Sequence, residues 1–293
     1  MSSTKQRDDR RAAWWFLLPV AAGFVIFYGY PAARGAWYSV TDYTMLNTPS
    51  FVGEENYTKL LADDQFWHSL RVTAWYVVLN IVSQTVLALG IAALMHRLTG
   101  SVLLRATLLV PWLIPNVTIG LLWMWLLDTN LGFVNHLVTS FGLAPVGFLT
   151  DATLAMPSVA GINTWAYTGY TALLLYAGML QIPQYLYESA AIDGAGEWRM
   201  FHRITLPLLR PVLALVLVVS LIGSFQIFDT VAVTTQGDPA SATRVIYLYI
   251  YEQAFKYFHL GYAAAAAVCL ALILGVFTAV QMRLLRASRS DLA

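Results

Sequence analysis

The sequence has 293 residues, of which 58% are apolar and 11% are charged, whereas soluble domains carry about 25% charged residues. This composition excludes an ordinary water-soluble fold, and a formal net charge of +1 without a basic cluster gives no sign of a nucleic-acid partner. The single cysteine, Cys269, cannot form an intrachain disulfide, and no Cys/His spacing predicts a metal site. We therefore expect a chain embedded in a lipid bilayer.

Six apolar segments are each long enough to cross a bilayer as a helix, which takes about 20 residues. In chain order they lie near residues 13–36, 72–95, 104–127, 155–181, 209–233 and 260–282. Trp and Tyr rings at several of their ends favour the membrane–water interface. Basic residues precede the first segment, so a cleaved signal peptide is the alternative there, but its length and its lack of an obvious small-residue cleavage site favour a retained span.

The basic residues set the orientation of these spans, because cytoplasmic loops carry an excess of Lys and Arg. With the N-terminus inside, 12 of the 17 Lys and Arg residues lie on the cytoplasmic side and five lie outside. The sequence therefore predicts an all-α, polytopic membrane protein with six transmembrane helices and both termini in the cytoplasm. Its predicted parts are a cytoplasmic N-terminal tail at residues 1–12, a transmembrane domain at 13–285 and a cytoplasmic C-terminal tail at 286–293.

Two of the predicted outer loops differ in character. The first, roughly 37–70, is long and acidic, and the third, roughly 234–259, contains Gln236-Gly237-Asp238-Pro239, which predicts a turn. After that turn, residues 246–258 predict a short amphipathic helix at the outer surface.

Polar residues interrupt the cytoplasmic segment 182–208 between the fourth and fifth spans. Helix-forming residues predict one short helix from Tyr185 to Asp193 and a second from Glu197 to Ile204. Gly194 lies between them and allows the left-handed backbone that a tight turn requires. Pro207 predicts a break where the fifth span begins.

This segment has the composition of a docking element. Its small residues permit close approach of another backbone, and Trp198, Met200 and Phe201 are apolar anchors that a solvated loop does not need. The alternative from the residues alone is an amphipathic helix that lies at the membrane interface between two spans.

The same segment resembles the EAA loop of the membrane subunits of bacterial ABC importers. The loop follows the pattern Glu-Ala-Ala, three residues, Gly, nine residues and Ile-x-Leu-Pro, and of its fixed positions only Ser189 departs from the pattern here. The resemblance implies the type I ABC importer permease fold for residues 13–285 and a loop gripped by a separate ATPase. The residues that it implies for this coupling are Glu188, Ala190, Ala191, Asp193, Gly194, Ala195, Trp198, Phe201, Ile204 and Pro207.

The chain itself has no ATP-binding motif, because none of its three lysines stands in a Gly-x-x-x-x-Gly-Lys-Ser/Thr arrangement. It also lacks a Gly-x-Ser-x-Gly elbow and a metalloprotease pair of histidines. We therefore expect no catalytic residue, no metal and no cofactor on this chain, with ATP and Mg²⁺ held by the partner ATPase.

Polar residues at membrane depth indicate a pathway, since such groups tend to face a bundle interior or a cavity. Asn163, Tyr167 and Tyr170 share one face of the fourth predicted span, and Ser220 and Ser224 share one face of the fifth. Hydroxyl and amide groups beside flat rings suit a sugar. The alternative is hydrogen bonding between packed helices, which is frequent in membrane bundles.

A second resemblance, to the maltose-type branch of these permeases, covers about residues 155–285. It rests on the stretches Ser224-Phe225-Gln226-Ile227-Phe228-Asp229-Thr230, Gln236-Gly237-Asp238-Pro239 and Ile250-Tyr251-Glu252-Gln253-Ala254-Phe255. The positions that it implies for the lining of a central cavity are Asn163, Tyr167, Tyr170, Ser220, Ser224, Gln226 and Ile227. Ile227 is apolar where a related permease can place an amide.

Together these resemblances imply one permease subunit of an ATP-driven importer for an oligosaccharide or related carbohydrate, in the bacterial cytoplasmic (inner) membrane. The implied partners are a second permease of different sequence, two ATP-binding subunits and an extracytoplasmic substrate-binding protein. One alternative is a secondary transporter subunit driven by an ion gradient, which would need carboxylates or broken helices near the membrane midplane. The other is an intramembrane enzyme, which the missing catalytic constellation disfavours.

Overall fold

The structure is a computed structural model that describes residues 16–98 and 101–286. The predicted tail at residues 1–12 lies outside the described residues, as does the predicted tail at 286–293 apart from Arg286. Over the described ranges the secondary structure is helical, as the sequence predicts, and β-type pairing is limited to one isolated bridge between Thr41 and Phe51.

We number the helices in chain order. Helix α1 spans Phe16–Tyr38 and contains a π-helical turn at Val25–Gly29. The others are α2 (Glu55–Leu61), α3 (Asp64–Leu98), α4 (Val102–Leu113), α5 (Asn116–Leu126), α6 (Phe133–Ser140), α7 (Ala155–Met179), α8 (Gln184–Ile192), α9 (Glu197–Met200, continued by a π-turn at Phe201–Thr205 and by Leu206–Leu208), α10 (Arg210–Phe225), α11 (Asp229–Thr234), α12 (Ile246–Tyr251, continued by a π-turn at Glu252–Lys256) and α13 (Leu260–Arg286).

Four segments in the described part of the chain are long and apolar enough to cross a membrane, namely α1, α3, Arg210–Thr234 and α13. The pair α4 and α5 meets the same test jointly, although the two helices are bent by 92°. Helix α7 coincides with the fourth predicted span and has 25 residues, among them one Asn and three Thr residues that reduce its apolar character. The total of six spans and their orientation stay predictions.

The third and fifth predicted spans are broken, which the sequence analysis did not foresee. Between α4 and α5, Ile114 is extended because it precedes Pro115, and a residue before proline is disfavoured in the helical region. Between α10 and α11, the residues 226–228 leave the helix without a proline or a glycine among them. Pro115 is therefore a signal that the sequence analysis underweighted, whereas the second break has no such marker.

The described chain forms two compact units. The smaller comprises the chain up to Asp63 together with Ile250–Leu272, and the larger comprises Asp64–Tyr249 together with the chain from Ile273 onward.

Hydrogen bonds to one buried amide organise the predicted first outer loop within the smaller unit. Asn56 Nδ2 donates to the backbone oxygens of Ser39 (2.9 Å) and Thr41 (2.8 Å). The Gly261 N–H donates to the Tyr43 carbonyl at 2.9 Å, and a Cβ atom on Gly261 would overlap the Thr41 carbonyl oxygen. Glycine is therefore required at position 261.

Helices α3, α7 and α10 form the centre of the larger unit. A Cβ atom on Gly169 of α7 would overlap the carbonyl oxygen of Leu108, so α4 and α7 are in backbone contact there. The buried residues of this packing are Ala88, Ala92, Met95, Ala172, Leu175, Tyr176, Met179, Leu209 and Val216.

Hydrogen bonds to Asp151 stabilise the turn that leads into α7. The Asp151 carboxyl group accepts hydrogen bonds from the Thr153 hydroxyl (2.5 Å) and from the Thr153 N–H (2.7 Å), which lowers the pKa of Asp151. It also accepts from the Leu154 N–H at 3.2 Å, so it stabilises the turn that precedes α7.

The predicted outer turn and helix are present. Gln236 and Gly237 have positive φ angles of 54° and 94°, as a tight turn requires. Helix α12 then begins at Ile246 and continues to Lys256, close to the predicted bounds of 246–258.

Candidate functional site

The larger unit contains a cavity of about 350 Å³ between α3, α4, α7 and α10, beside the break that follows α10. All seven residues predicted for the pathway line it. The complete lining is Tyr76, Asn80, Gln84, Trp112, Asn116, Asn163, Tyr167, Tyr170, Thr171, Val219, Ser220, Gly223, Ser224, Gln226, Ile227, Phe228, Asp229 and Thr230.

The two helix breaks bring residues to this cavity that the sequence analysis did not assign to it. Tyr167 donates a hydrogen bond from its hydroxyl to Asn116 Oδ1 (3.0 Å), and Asn116 Nδ2 donates to Asp229 Oδ2 (3.4 Å). These bonds connect α7 to the starts of α5 and α11. The second halves of the two broken spans also touch, with Gly120 of α5 against Val233 of α11.

Some of the predicted pathway residues hold helices together. Asn163 is buried, and its amide donates to Thr230 Oγ1 (3.2 Å) and to the Val159 carbonyl (3.2 Å). Ser224 is buried as well and accepts a hydrogen bond from Asn80 Nδ2 at 3.0 Å. For these two residues the packing role is therefore present in the structure.

Other lining residues leave polar or aromatic surface open to the cavity. The rings of Tyr170 and Trp112 stack with centroids 4.6 Å apart and planes inclined by 11°, so one face of each ring is covered by the other. Gln226 is exposed and Ser220 is half-buried, and neither side chain has a hydrogen-bond partner within the described residues. Ile227 is buried and contributes an apolar patch of wall.

One buried acceptor at the cavity wall lacks a partner. Asn80 is 5% exposed, and its amide nitrogen is engaged with Gln84 Oε1 (3.3 Å) and Ser224 Oγ (3.0 Å). Its oxygen Oδ1 has no hydrogen-bond partner in the structure. The oxygen is itself enclosed by protein, and leaving such a buried polar atom unpaired is costly.

The predicted coupling loop forms two short helices, α8 and α9, as expected from the sequence. Gly194 lies between them with φ +74°, and its N–H donates to the Ala191 carbonyl at 3.0 Å. Ala195 N–H donates to the Ala190 carbonyl at 2.9 Å, which closes the end of α8. The turn is largely open to solvent, since Glu188 and the three residues that precede Gly194 are exposed.

Contacts at the C-terminal end of α3 fix the loop in place. Arg97 of α3 forms an ion pair with Glu197, and the rings of His96 and Tyr187 lie 5.9 Å apart. Tyr187 and Thr205 share a hydrogen bond of 2.9 Å between their hydroxyl groups, which ties α8 to α9.

The aromatic anchors of the loop divide between two surroundings. Trp198 is 73% exposed and stacks beside Phe201 with ring centroids 6.1 Å apart. Phe201 is partly buried and packs against the core of the larger unit. Ile192, which the sequence analysis did not single out, is 87% exposed at the end of α8.

The break predicted at Pro207 occurs two residues later. The helix continues through Pro207 to Leu208, and the turn falls at Leu209. A π-turn at Phe201–Thr205 precedes the proline, and such turns accommodate disruptions of the regular hydrogen-bond ladder.

Comparison with known proteins decides the family. Residues 84–290 match the model of the family described as binding-protein-dependent transport system inner membrane component. The chain belongs to this family of ABC importer membrane subunits. The resemblance stated from the coupling loop is therefore confirmed, as are the all-α fold class, the inner-membrane location and the assignment as a transport subunit.

Two relatives and one solved structure illustrate this membership. The chain is 33% identical to the trehalose/maltose transport system permease protein MalF of Thermococcus litoralis, covering 92% of this chain and 90% of that protein. It is 31% identical to the sulfoquinovosyl glycerol transport system permease protein SmoG of Agrobacterium fabrum, covering 95% and 91%. Its fold is similar to that of a chain in the crystal structure of a bacterial ABC transporter involved in the import of the acidic polysaccharide alginate. The TM-score is 0.84 and the identity 24%, over 97% of this chain and 99% of that chain.

A membrane subunit of this ABC importer family works with a further permease, an ATPase and a substrate-binding protein. Within the described residues, no group of three or more His, Cys, Asp or Glu side chains is arranged to hold a metal ion. The chemistry of the cavity is therefore that of hydroxyl, amide, aromatic and single carboxyl groups.

Proposed function

We propose that this permease subunit carries a sugar and that the cavity beside the break after α10 is its half of the pathway. The observation that carries the proposal is the gathering of amide, hydroxyl and stacked aromatic groups around one cavity. Sugars present many hydroxyl groups and apolar CH faces, and such a wall can satisfy both. The named substrates of the relatives, trehalose or maltose and sulfoquinovosyl glycerol, support a carbohydrate cargo.

Within this pathway, we assign direct sugar contact to the open groups Tyr170, Ser220 and Gln226. Asn163 and Ser224 support the wall through their bonds to Thr230 and Asn80. Tyr167 does both, because its hydroxyl is bonded to Asn116 while its ring lines the cavity.

The coupling loop is the second part of the proposal. Trp198 and Ile192, with the carboxyl groups of Glu188 and Asp193, form an exposed surface that suits a groove on an ATPase. Phe201 faces inward and would transmit movement of the loop to the core that α3, α7 and α10 share. The remaining implied coupling residues, Ala190, Ala191, Ala195, Ile204 and Pro207, shape the two short helices.

The complete importer, on this proposal, contains a second permease of different sequence, two ATP-binding subunits and an extracytoplasmic binding protein. ATP and Mg²⁺ would be held by the ATPase subunits. Closure of the ATPase pair would shift the coupling loop and rock the two permeases, so that the cavity opens outward and then inward.

Purification of the tagged chain with its natural partners tests this proposal. We expect an ATPase to co-elute and proteoliposomes to accumulate labelled sugar only with ATP and the binding protein, while a labelled amino acid is not accumulated. Accumulation of sugar by the chain alone under a proton or sodium gradient would contradict it.

One observation bears on the alternative of an ion-driven transporter. Broken helices, which such transporters use near their binding sites, are present in the third and fifth spans. No buried side chain in the described part of the chain is a carboxylate, however, and the family is one of binding-protein-dependent importers. The breaks are therefore assigned to shaping the sugar cavity.

A further inference from the structure

We infer that the cavity selects sugars without acidic groups, so that neutral sugars are carried and uronic or sulfonated sugars are rejected. The inference rests on the proposed function and names the substrate class of the same cavity. Relatives are named for trehalose or maltose and for sulfoquinovosyl glycerol, so membership of the family leaves the charge of the cargo open.

The first observation is the charge of the lining. Asp229 is the one residue with a formal charge among the described residues that line the cavity, and none of them is Lys, Arg or His. Asp229 is exposed to the cavity rather than buried in the wall. An acidic sugar would therefore bring a second negative charge beside Asp229 and would meet no cation on this subunit.

The second observation is the direction of the hydrogen bonds in the wall. Tyr167 donates to Asn116 Oδ1, and Asn116 Nδ2 in turn donates to Asp229, so these donors are used within the protein. The amide nitrogen of Asn80 is likewise engaged. The charged group that remains open to a ligand at this end of the cavity is the Asp229 carboxylate, which is an acceptor.

Acceptors in the wall match ligands that donate hydrogen bonds. Sugar hydroxyl groups donate, whereas carboxylate and sulfonate groups accept only. A neutral sugar can thus donate a hydrogen bond to the exposed Asp229 carboxylate, while an acidic group at the same place has no proton to donate and adds a like charge. The lining groups that can still donate, among them Gln226, Ser220 and the Tyr170 hydroxyl, are uncharged.

Equilibrium binding to the purified importer tests the inference. The binding protein is left out because it has a sugar site of its own, so that the measured binding is to the membrane cavity. The probes are maltotriose and trigalacturonic acid, measured by ligand-observed saturation-transfer NMR, which detects millimolar affinities. We expect Kd for the acidic trisaccharide to exceed that for maltotriose by about tenfold or more. Like charges close together repel, and a tenfold ratio of Kd needs only about 1.4 kcal/mol of binding free energy.

Two variants test whether residues of the cavity cause this ratio of the two Kd values. Asp229→Asn is expected to lower the ratio at least threefold, and Gln226→Lys, which adds a cation to an open position, is expected to lower it as well. Glu54→Gln removes one negative charge outside the cavity and serves as the matched control, with an unchanged ratio.

Each other outcome counts against a different claim. Equal affinity for both sugars in the unmodified importer, or a ratio that neither cavity variant changes, overturns the charge selection and leaves the proposed function standing. Failure of every sugar to bind overturns the proposed sugar pathway and this inference with it.

Discussion

Asn163 Nδ2 donates a hydrogen bond to Thr230 Oγ1 over 3.2 Å, and this bond joins α7 to the short helix α11 beyond the break in the fifth span. Both residues are buried, so the bond holds the wall of the cavity in place. Gln226 lies in the same break but is exposed to the cavity. Two amides that line the same cavity thus have different roles, one in packing and one toward the proposed sugar.

Substitution of these two amides separates packing from transport. Asn163→Ala should lower the stability of the purified subunit by about 1–3 kcal/mol, because it leaves buried partners unpaired. Gln226→Ala should leave the melting temperature unchanged and slow sugar uptake about tenfold, the effect of about 1.4 kcal/mol. Thermal melting in detergent and uptake by proteoliposomes measure the two. Normal uptake by Gln226→Ala would remove that residue from the pathway.

Backbone contact between α4 and α7 predicts a severe effect of one methyl group. Gly169→Ala places a Cβ atom onto the Leu108 carbonyl oxygen, so the helices must separate, at a cost of about 1–3 kcal/mol. Gly161→Ala, on the same helix, meets no atom within 4 Å and is the matched control. We expect a lower melting temperature and poorer assembly for the first variant alone. Equal melting temperatures would show that the contact is not tight.

The sequence predicts the parts of this protein that depend on periodicity and on strong turn residues. The two short helices around Gly194 and the shared cavity of Asn163, Tyr170 and Ser224 follow from such patterns. The break after Phe225 could not be predicted, because residues 226–228 include neither proline nor glycine and tertiary packing with α5 stabilises α11. For the same reason Trp112 and Asp229, which the breaks bring to the cavity, were missed.

The orientation of the chain can be tested with single cysteines. In a Cys269→Ala background, a cysteine at Thr48 should react with an impermeant thiol reagent added outside, since Thr48 is exposed in the loop that the sequence predicts to be the first outer one. A cysteine at Glu197 should react only from the cytoplasmic side, and less when the ATPase is bound. The reverse labelling pattern would overturn the predicted topology.

Trp198 and Phe201 are neighbours with different surroundings, so truncation of each should have a different effect. Trp198→Ala should leave the melting temperature unchanged but weaken ATPase association about tenfold or more, as loss of an exposed aromatic anchor does in interfaces. Phe201→Ala should lower the stability of the subunit by about 2 kcal/mol, less than the 3–5 typical of a fully buried Phe. Co-elution of the ATPase and thermal melting distinguish the two. If Trp198→Ala retains full ATPase affinity, the outward face of the loop is not the docking surface.

Gly194 connects the two helices of the coupling loop in a conformation that other residues adopt only with strain. Its φ of +74° costs a residue with a side chain about 1–2 kcal/mol, and Gly194→Pro also removes the N–H that donates to the Ala191 carbonyl. Both Gly194→Ala and Gly194→Pro should therefore reduce sugar uptake per ATP hydrolysed, the proline variant more strongly, while membrane insertion is normal. Gly196→Ala is the matched control, because Gly196 has φ −68° and no atom within 4 Å of an added Cβ. The ratio of uptake to hydrolysis in proteoliposomes reports coupling directly, and a normal ratio in Gly194→Pro would mean that the turn does not transmit the ATPase movement.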